Sequence, residues 1–485
     1  MENNSTKSII DKSEHAYMKA ADKLLKFFAK EKSDEDLAAI LNFQGELARA
    51  MYSVSEQNRI LNWQRNAIIQ NEIASDRDES IRKLKIIDYD QKLLKEVTAI
   101  GQILGNSFAW IFYQNQPQQL GQHSNHQISP FLPTGIGGAG EVEFISNIRY
   151  FGKHFIVYHG ITSILRSGDI SLVDLSTGHV SAIGELKTKP SDDPNKLDIQ
   201  LTIIGEFNEV QSVLKQIPEP TQKGPAILNR GELPTEKMKA RFIRQKKTME
   251  AHGLNANKDI LSITLPNAET TFGELADIDE ALTDGVTVKI ISDCLLVILL
   301  DLPDPSFYDR LSQNASHELF EGLVKDERTL QHLANRLFIP GRSDNRLEIY
   351  TIAPTKDGIP FQQNGMPPIL WWPIDGNLRK RILLRKCIAT TIYNPAHLYT
   401  KLESEGFEKI VRGEKVVFRN RIANRFIELE NMQYYHRMIS TSFMSLESVV
   451  CMIRAFLNVP DPAPDLNCKK QITFLVNAVY KAPLE

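Results

Sequence analysis

The stretch SGDISLVDLSTGHVSAIGELKTK, residues 167–189, decides the fold. Ile170-Ser171-Leu172-Val173-Asp174-Leu175 and Val180-Ser181-Ala182-Ile183-Gly184-Glu185-Leu186-Lys187 read as strands. Ser176-Thr177-Gly178-His179 joins them, so the pair is predicted to be a β-hairpin. Asp169 opens the first strand, and Glu185-Leu186-Lys187 lies across from it on the second. Side chains alternate along a strand, so Glu185 and Lys187 share a face while Leu186 points into the opposite layer. Two acids and a lysine on one sheet edge are costly unless they hold a metal or are solvated. The set suits phosphodiester hydrolysis. Asp169 and Glu185 offer hard oxygens to Mg²⁺, the Leu186 backbone carbonyl can add a ligand, and Lys187 can orient or help deprotonate the attacking water.

Working outward, His154-Phe155-Ile156-Val157-Tyr158 is a further strand. Gly140 to Tyr150 is predicted as a helix, with Val142, Ile145, Ile148 and Arg149 in amphipathic spacing. Leu197 to about Lys215 also reads as helix, which makes the order α-β-β-β-α. Val286 to Leu300 is strand-like and is expected to rejoin the same sheet as a fourth strand.

Residues 136 to 215 thereby resemble the PD-(D/E)xK nuclease superfamily, whose second and third motifs fall at Asp169 and at Glu185-Leu186-Lys187. The resemblance implies a restriction-endonuclease-like α-β-β-β-α core within a mixed α+β or α/β chain. It implies a catalytic set of Asp169, Glu185 and Lys187, with Glu141 as an additional acid from the first helix. Glu143 is the alternative, but it lies about 200° around the helix from Glu141, so both cannot face a metal equally. Gln200 corresponds to the polar residue often found on the helix after the third strand. The leading proline of the motif is absent here, where Ser167-Gly168 precede Asp169. The cofactor implied is Mg²⁺, with Mn²⁺ as the alternative.

Before this core, residues 12 to about 115 read as helix, with no proline before Pro117. Ser33 followed by Asp34-Glu35-Asp36 is a capping signature. Leu37, Leu41, Leu47, Met51, Val54, Leu61 and Ile68 recur at three- and four-residue spacing, and Ile81, Leu84, Ile87, Leu94 and Val97 form a second stripe. Such stripes fit either a coiled-coil-like assembly arm or a helical bundle packed on the next domain. Residues 116–134 are rich in Gln, Pro and Ser and read as a linker, in which His123 and His126 stand at H-x-x-H spacing. Gly135, Gly137 and Gly140 spell G-x-G-x-x-G, but no strand precedes them, so a flexible hinge is expected rather than a dinucleotide site.

The core domain is expected over residues 135–303, with a basic helical insertion at about 216–256. On that insertion Lys237, Arg241 and Arg244 share a helix face that Lys247 extends, a good surface for tracking phosphates. Residues 304–485 read as a mixed accessory region, with helix near 312–337, strand near 347–353, helix near 378–391, a hairpin at 411–419 and helix at 445–457. Arg379-Lys380-Arg381 and Arg385-Lys386 form a second basic cluster, read more as structural than as phosphate-binding. Trp371-Trp372-Pro373 reads as core or interface packing in preference to base stacking.

The whole chain has 485 residues and is 42% apolar and 24% charged, an ordinary globular composition with room for about three domains. Lys plus Arg number 57 against 60 acids, a formal net charge of −3, which excludes a uniformly basic nucleic-acid binder but not a local basic patch. Cys294, Cys387, Cys451 and Cys468 are dispersed with no CxxC pair, which suits reduced thiols. No apolar run approaches the roughly 20 residues of a membrane span, and the N-terminus lacks an apolar secretory segment. No G-x-S-x-G or Walker A motif is present.

The sequence therefore predicts a cytoplasmic, Mg²⁺-dependent nuclease, an endonuclease acting on DNA in preference to RNA. By analogy, the large accessory regions suggest a prokaryotic defence or restriction system gated by oligomerisation through the N-terminal helices or by a separate protein partner. The alternative is a non-catalytic nucleic-acid-binding or scaffold protein on the same fold.

Overall fold

The computed structural model describes residues 4–27, 34–70, 77–113, 123, 130–148, 150–151, 153–165, 168–190, 197–204, 226–227, 263–275, 285–301, 306–312, 337–343, 345–352, 369–372, 374–422, 425–457 and 474–478. The chain opens with three long helices, α1 (Asn4–Phe27), α2 (Asp34–Gln70) and α3 (Arg77–Tyr113), none interrupted by proline. Their buried stripes are Tyr17, Ala21 and Leu24 of α1, Phe43, Leu47, Met51, Val54 and Leu61 of α2, and Ile87, Leu94, Val97, Leu104 and Phe108 of α3. Ile81, expected in the second stripe, faces outward instead. Gln57 of α2 meets Thr6 near the start of α1 at 3.0 Å, while Lys23 near its end pairs with Glu46. The two helices therefore run antiparallel, and residues 58–70 of α2 continue beyond the start of α1.

Helix α4 (Gly135–Asn147) leads into β1 (Tyr150–Phe151), β2 (His154–Tyr158), β3 (Ile170–Asp174), β4 (Val180–Pro190), β5 (Leu197–Ile204) and β6 (Ala226–Ile227). They form one sheet in that order, antiparallel except for the β5–β6 pair. The predicted hairpin is present: β3 pairs with β4, and Gly178 takes a positive φ in the turn between them. The segment after it differs from expectation. Residues 197–204 form a strand, because Leu197, Ile199, Leu201 and Ile203 alternate with Asp198, Gln200 and Thr202, a period of two rather than 3.6. The GIGGAG stretch is likewise not a hinge but the first turns of α4.

The N-terminal helices pack directly on this sheet. Phe108 of α3 stacks on Phe43 of α2 and meets Phe155 of β2, with ring centroids 4.9 and 6.1 Å apart. The Gln44 amide covers the backbone of β2, its Nε2 donating to the Ile156 carbonyl and its Oε1 accepting from the Tyr158 N–H, both at 2.7 Å. Such pairing satisfies strand groups that would otherwise be buried without partners.

Strand β7 (Ile263–Ala268) precedes β8 (Val286–Ser292) and β9 (Leu295–Asp301), which do not rejoin the first sheet. With β10 (Glu348–Ile352) and β11 (Cys387–Tyr393) they form a separate antiparallel sheet in the order β10-β11-β9-β8. Pairing of β9 with both β8 and β11 saturates its two edges, which excludes it from the first sheet. Helix α5 (Phe307–Ser312) falls between β9 and β10 and α6 (Gly376–Leu383) between β10 and β11, and α6 is capped by the Asp375 carboxylate. After α7 (Ala396–Ser404), β12 (Glu408–Arg412) and β13 (Lys415–Ile422) form the expected hairpin with its turn at Gly413, and β14 (Arg425–Leu429) extends it. The expected last helix is present as α9 (Leu446–Leu457), after α8 (Met432–Ser440), and β15 (Phe474–Ala478) pairs in parallel with β7.

Two expected features, the helix near 312–337 and the basic insertion with Lys237, Arg241, Arg244 and Lys247, lie outside the described residues apart from residues 226–227, 312 and 337. The described chain is thus mixed α+β, with several antiparallel sheets. None of its described helices is long and apolar enough to cross a membrane.

Candidate active site

Asp169 sits one residue before β3, in a turn that only glycine makes comfortably. Gly168 has φ +71°, and a Cβ there would lie 2.4 Å from Ile183 Cγ2, too close for any side chain. The Ile170–Gly184 pairing, taken one step back, sets Asp169 beside Glu185. Asp169 Oδ2 accepts from the Leu186 N–H at 2.6 Å, so the carboxylate fills the place that a continuing strand would take. The N–H and C=O of a strand residue leave on the same side, so the Leu186 carbonyl also faces the Asp169 edge. Glu185 is 4% exposed and pairs with Lys187, Nζ to Oε1 at 3.2 Å.

Glu141 reaches the same place from α4. Its Oε2 accepts from the Tyr158 hydroxyl at 2.7 Å. Burial, and then the neighbouring negative charge of Asp169, push its carboxyl up from 4.5 to about 7, against the opposing pull of Tyr158 and Lys187. Glu143 instead accepts from the Asn147 amide at 2.7 Å, so of the two acids Glu141 is the one turned to the sheet. Gly140 allows that approach, since a Cβ there would meet Thr188 Oγ1 at 2.1 Å and Thr188 Cβ at 2.7 Å. Gly140→Ala is expected to destabilise the protein by about 1–3 kcal/mol despite the better helix propensity of alanine, measured by urea unfolding, because α4 must move off β4.

A raised carboxyl pKa also makes a prediction about stability. The folded value, about 7, exceeds the ordinary 4.5, so Glu141 contributes stability below about pH 4.5 that is lost as pH rises through 7. Glu141→Gln keeps an acceptor for Tyr158 but removes the charge. In metal-free protein it should match the wild type near pH 4.5 and exceed it at pH 8 by about 3 kcal/mol, from a shift of roughly 2.5 pH units. Thermal unfolding in chelator across pH 4.5–8 checks this; parallel curves for the two proteins would contradict it.

Gln200 lies on β5 directly opposite Lys187, and cross-strand partners share a face. The resemblance placed it on a helix; the strand brings it beside Lys187 through pairing instead. Helix α2 frames the site from behind. Glu56 Oε1 accepts from the Gly135 N–H at 2.8 Å, Tyr52 donates to the Gly135 carbonyl at 3.2 Å, and Ser55 Oγ accepts from the Leu132 N–H at 3.0 Å. Sequence reading missed this framing, along with Tyr158 and the buried polar set around Ser171. A serine within the apolar run Ile170-Ser171-Leu172-Val173 was the one local signal.

The other candidates resolve into structure. Arg379 donates to the Leu370 carbonyl at 2.6 Å, and Lys380, Arg381, Arg385 and Lys386 pair with Asp22, Asp301, Glu96 and Glu14. That cluster ties α6 and the residues just after it to α1, α3 and β9. Trp372 is buried, and Trp371 Nε1 donates to the Ser107 carbonyl at 2.9 Å. His123 is buried against Tyr113 and His159, with ring centroids 5.7 and 5.3 Å away, while His126 lies outside the described residues.

The donor set at the site suits a hard divalent cation. Two carboxylates with a backbone carbonyl match the few protein ligands that Mg²⁺ takes, and the negative charge of Asp169, which adds to burial in raising Glu141, is what a cation offsets. No preformed group of three His, Cys, Asp or Glu ligands exists among the described residues. Compared with protein-family models, curated proteins and solved structures, the chain matches none of them.

Proposed function

We propose that the chain is a Mg²⁺-dependent nuclease with a restriction-endonuclease-like site, cutting DNA endonucleolytically. The observation that carries this reading is the placement of Asp169 against Glu185-Leu186-Lys187, with Glu141 brought beside them from a separate helix and raised to about 7 by burial and by the charge of Asp169. A bound Mg²⁺, or Mn²⁺ in its place, supplies positive charge to the scissile phosphate and acidifies a water. Asp169, Glu185 and the Leu186 carbonyl would hold it. Lys187 positions the water, whose oxygen forms a bond to phosphorus as the bond to the departing sugar oxygen breaks. The water proton passes to solvent, and the departing alkoxide takes one back. Gln200, opposite Lys187, would donate to a nonbridging phosphate oxygen.

Supercoiled plasmid incubated with Mg²⁺ tests the reading. Wild type should nick and linearise it, while Asp169→Ala should not. Equal cutting by both proteins removes the assignment. The rival reading is a nucleic-acid-binding or scaffold protein in which Lys187–Glu185 is only an ion pair. It predicts that Glu185→Ala leaves function intact while charge reversal at Arg241 and Arg244 abolishes it. The phosphate-tracking role of Lys237, Arg241, Arg244 and Lys247 is part of the proposal. So is self-association through the N-terminal helices, for which Trp63, 71% exposed on α2, with exposed Ile60 on the same helix and Ile81 and Tyr89 on α3, offers apolar surface.

A further inference from the structure

Behind the candidate site runs a chain of buried polar side chains that the proposed reaction does not use. Tyr113, the last residue of α3, places its hydroxyl 2.5 Å from Ser171 Oγ on β3. Ser171 Oγ lies 2.6 Å from His159 Nε2, and His159 Nδ1 lies 3.1 Å from the Gly168 carbonyl. All three side chains are buried, with the ring of His123 packed edge-on against Tyr113 and His159. A carbonyl can only accept, so Nδ1 carries the proton. Nε2 is then the acceptor for the Ser171 hydroxyl, and Ser171 in turn accepts from Tyr113. With a neutral ring the direction of these three hydrogen bonds follows from that one carbonyl, and the Tyr113 hydroxyl also lies 3.5 Å from His123 Nε2.

The chain ends where Asp169 is built. His159 donates its backbone N–H to the Asp169 carbonyl at 2.9 Å, and its ring donates to the Gly168 carbonyl one peptide earlier. The Asp169 N–H donates to the Gly184 carbonyl at 2.9 Å. One residue thus grips the peptides on both sides of Asp169, while β4 holds its N–H and, through the Leu186 N–H, its carboxylate. His159 is itself braced from the other side, where Thr162 donates its N–H and hydroxyl to the His159 carbonyl at 2.8 and 2.9 Å. A strand would serve the core equally well with an apolar residue in place of Ser171. A buried polar chain confers rigidity only when each member is satisfied, and here it is satisfied toward a single turn.

We infer that His159, its tautomer set by the Gly168 carbonyl and its ring held by Ser171 and Tyr113, is a positioning residue for Asp169 and controls how well the site holds its metal. The inference rests on the proposed reading of Asp169 as a ligand. Groups that orient a metal ligand without touching the metal typically change affinity by about 10–100-fold when removed. His159→Leu should therefore weaken binding by at least about tenfold. His159→Asn, whose amide nitrogen can stand in for Nδ1–H, should restore most of it. Ser171→Ala leaves the turn itself intact and should weaken binding by a smaller factor in the same direction.

The experiment is a Mn²⁺ titration of the full-length chain, followed by electron paramagnetic resonance and calorimetry, for wild type, the three variants and Asp169→Ala. A rank order of wild type, His159→Asn, Ser171→Ala and His159→Leu, at unchanged stoichiometry, supports the inference. A merely structural role would lower the folded fraction, and hence the stoichiometry, at unchanged affinity. If wild type binds Mn²⁺ through Asp169 and both Ser171→Ala and His159→Leu bind within about twofold of it, the positioning role is overturned while the nuclease reading stands. If wild type binds no Mn²⁺, or binds it equally well as Asp169→Ala, the reading itself fails and this inference falls with it. Should His159→Leu not fold, Ser171→Ala against wild type decides the matter.

Discussion

Lys187→Ala is expected to slow Mg²⁺-dependent cleavage by about 10²–10³-fold, or roughly 2.7–4 kcal/mol of transition-state stabilisation. The ammonium group is anchored by Glu185 at 3.2 Å, yet its side chain is 36% exposed, so it can face a bound phosphate and the water beside it. An interaction made mainly as charge develops on phosphorus lowers the rate more than it lowers metal affinity. Mn²⁺ binding should accordingly survive in Lys187→Ala while the single-turnover rate collapses. This pattern is the converse of that expected for His159→Leu, which strikes the metal site and not the water. Cleavage by Lys187→Ala at the wild-type rate would leave Lys187–Glu185 as a structural ion pair and nothing more.

Glu14→Ala should be the most damaging single substitution away from the site, at about 3–5 kcal/mol. Arg310 of α5 is 2% exposed, among the largest fully buried side chains described, and its Nη2 lies 2.6 Å from Glu14 Oε1 on α1. Glu14 also meets Lys386 at 3.3 Å, so one carboxylate joins α1 to two distant parts of the chain. Its removal leaves a guanidinium in the interior without that counter-charge, and the desolvation penalty is then felt in full. Glu14→Gln should lose less, since it keeps a carbonyl dipole beside the Arg310 guanidinium. The double variant Glu14→Met with Arg310→Met should recover most of the loss, because well-packed apolar side chains often replace a buried pair at little cost. Urea unfolding measures all three, and a Glu14→Ala change within about 0.5 kcal/mol of wild type would contradict the argument.

Much of this molecule is written locally. The hairpin at 170–187 follows from alternating apolar residues around Ser176-Thr177-Gly178-His179, and the long helices follow from proline-free stripes. The misreading of 197–204 was avoidable, because Leu-Asp-Ile-Gln-Leu-Thr-Ile carries a period of two. The misreading of GIGGAG was not. Glycines at that density lower helix propensity, and only the close contact of Gly140 with Thr188, a residue 48 positions later, explains why they stand inside a helix.

The same division runs through the candidate site. Sequence by itself determined that Asp169, Glu185 and Lys187 meet across one hairpin, since register and alternation are local properties of adjacent strands. It also determined that Glu141 lies on a helix just upstream. Only the tertiary structure decided that Glu141 turns to Tyr158 and rises to about 7, that Tyr113 reaches Ser171, and that the basic run 379–386 is spent on acids of α1, α3 and β9. These partners stand 17 to 372 positions apart. Periodicity tells which face of an element is buried, but what it is buried against, and so its hydrogen bonds and its proton affinity, is fixed by packing.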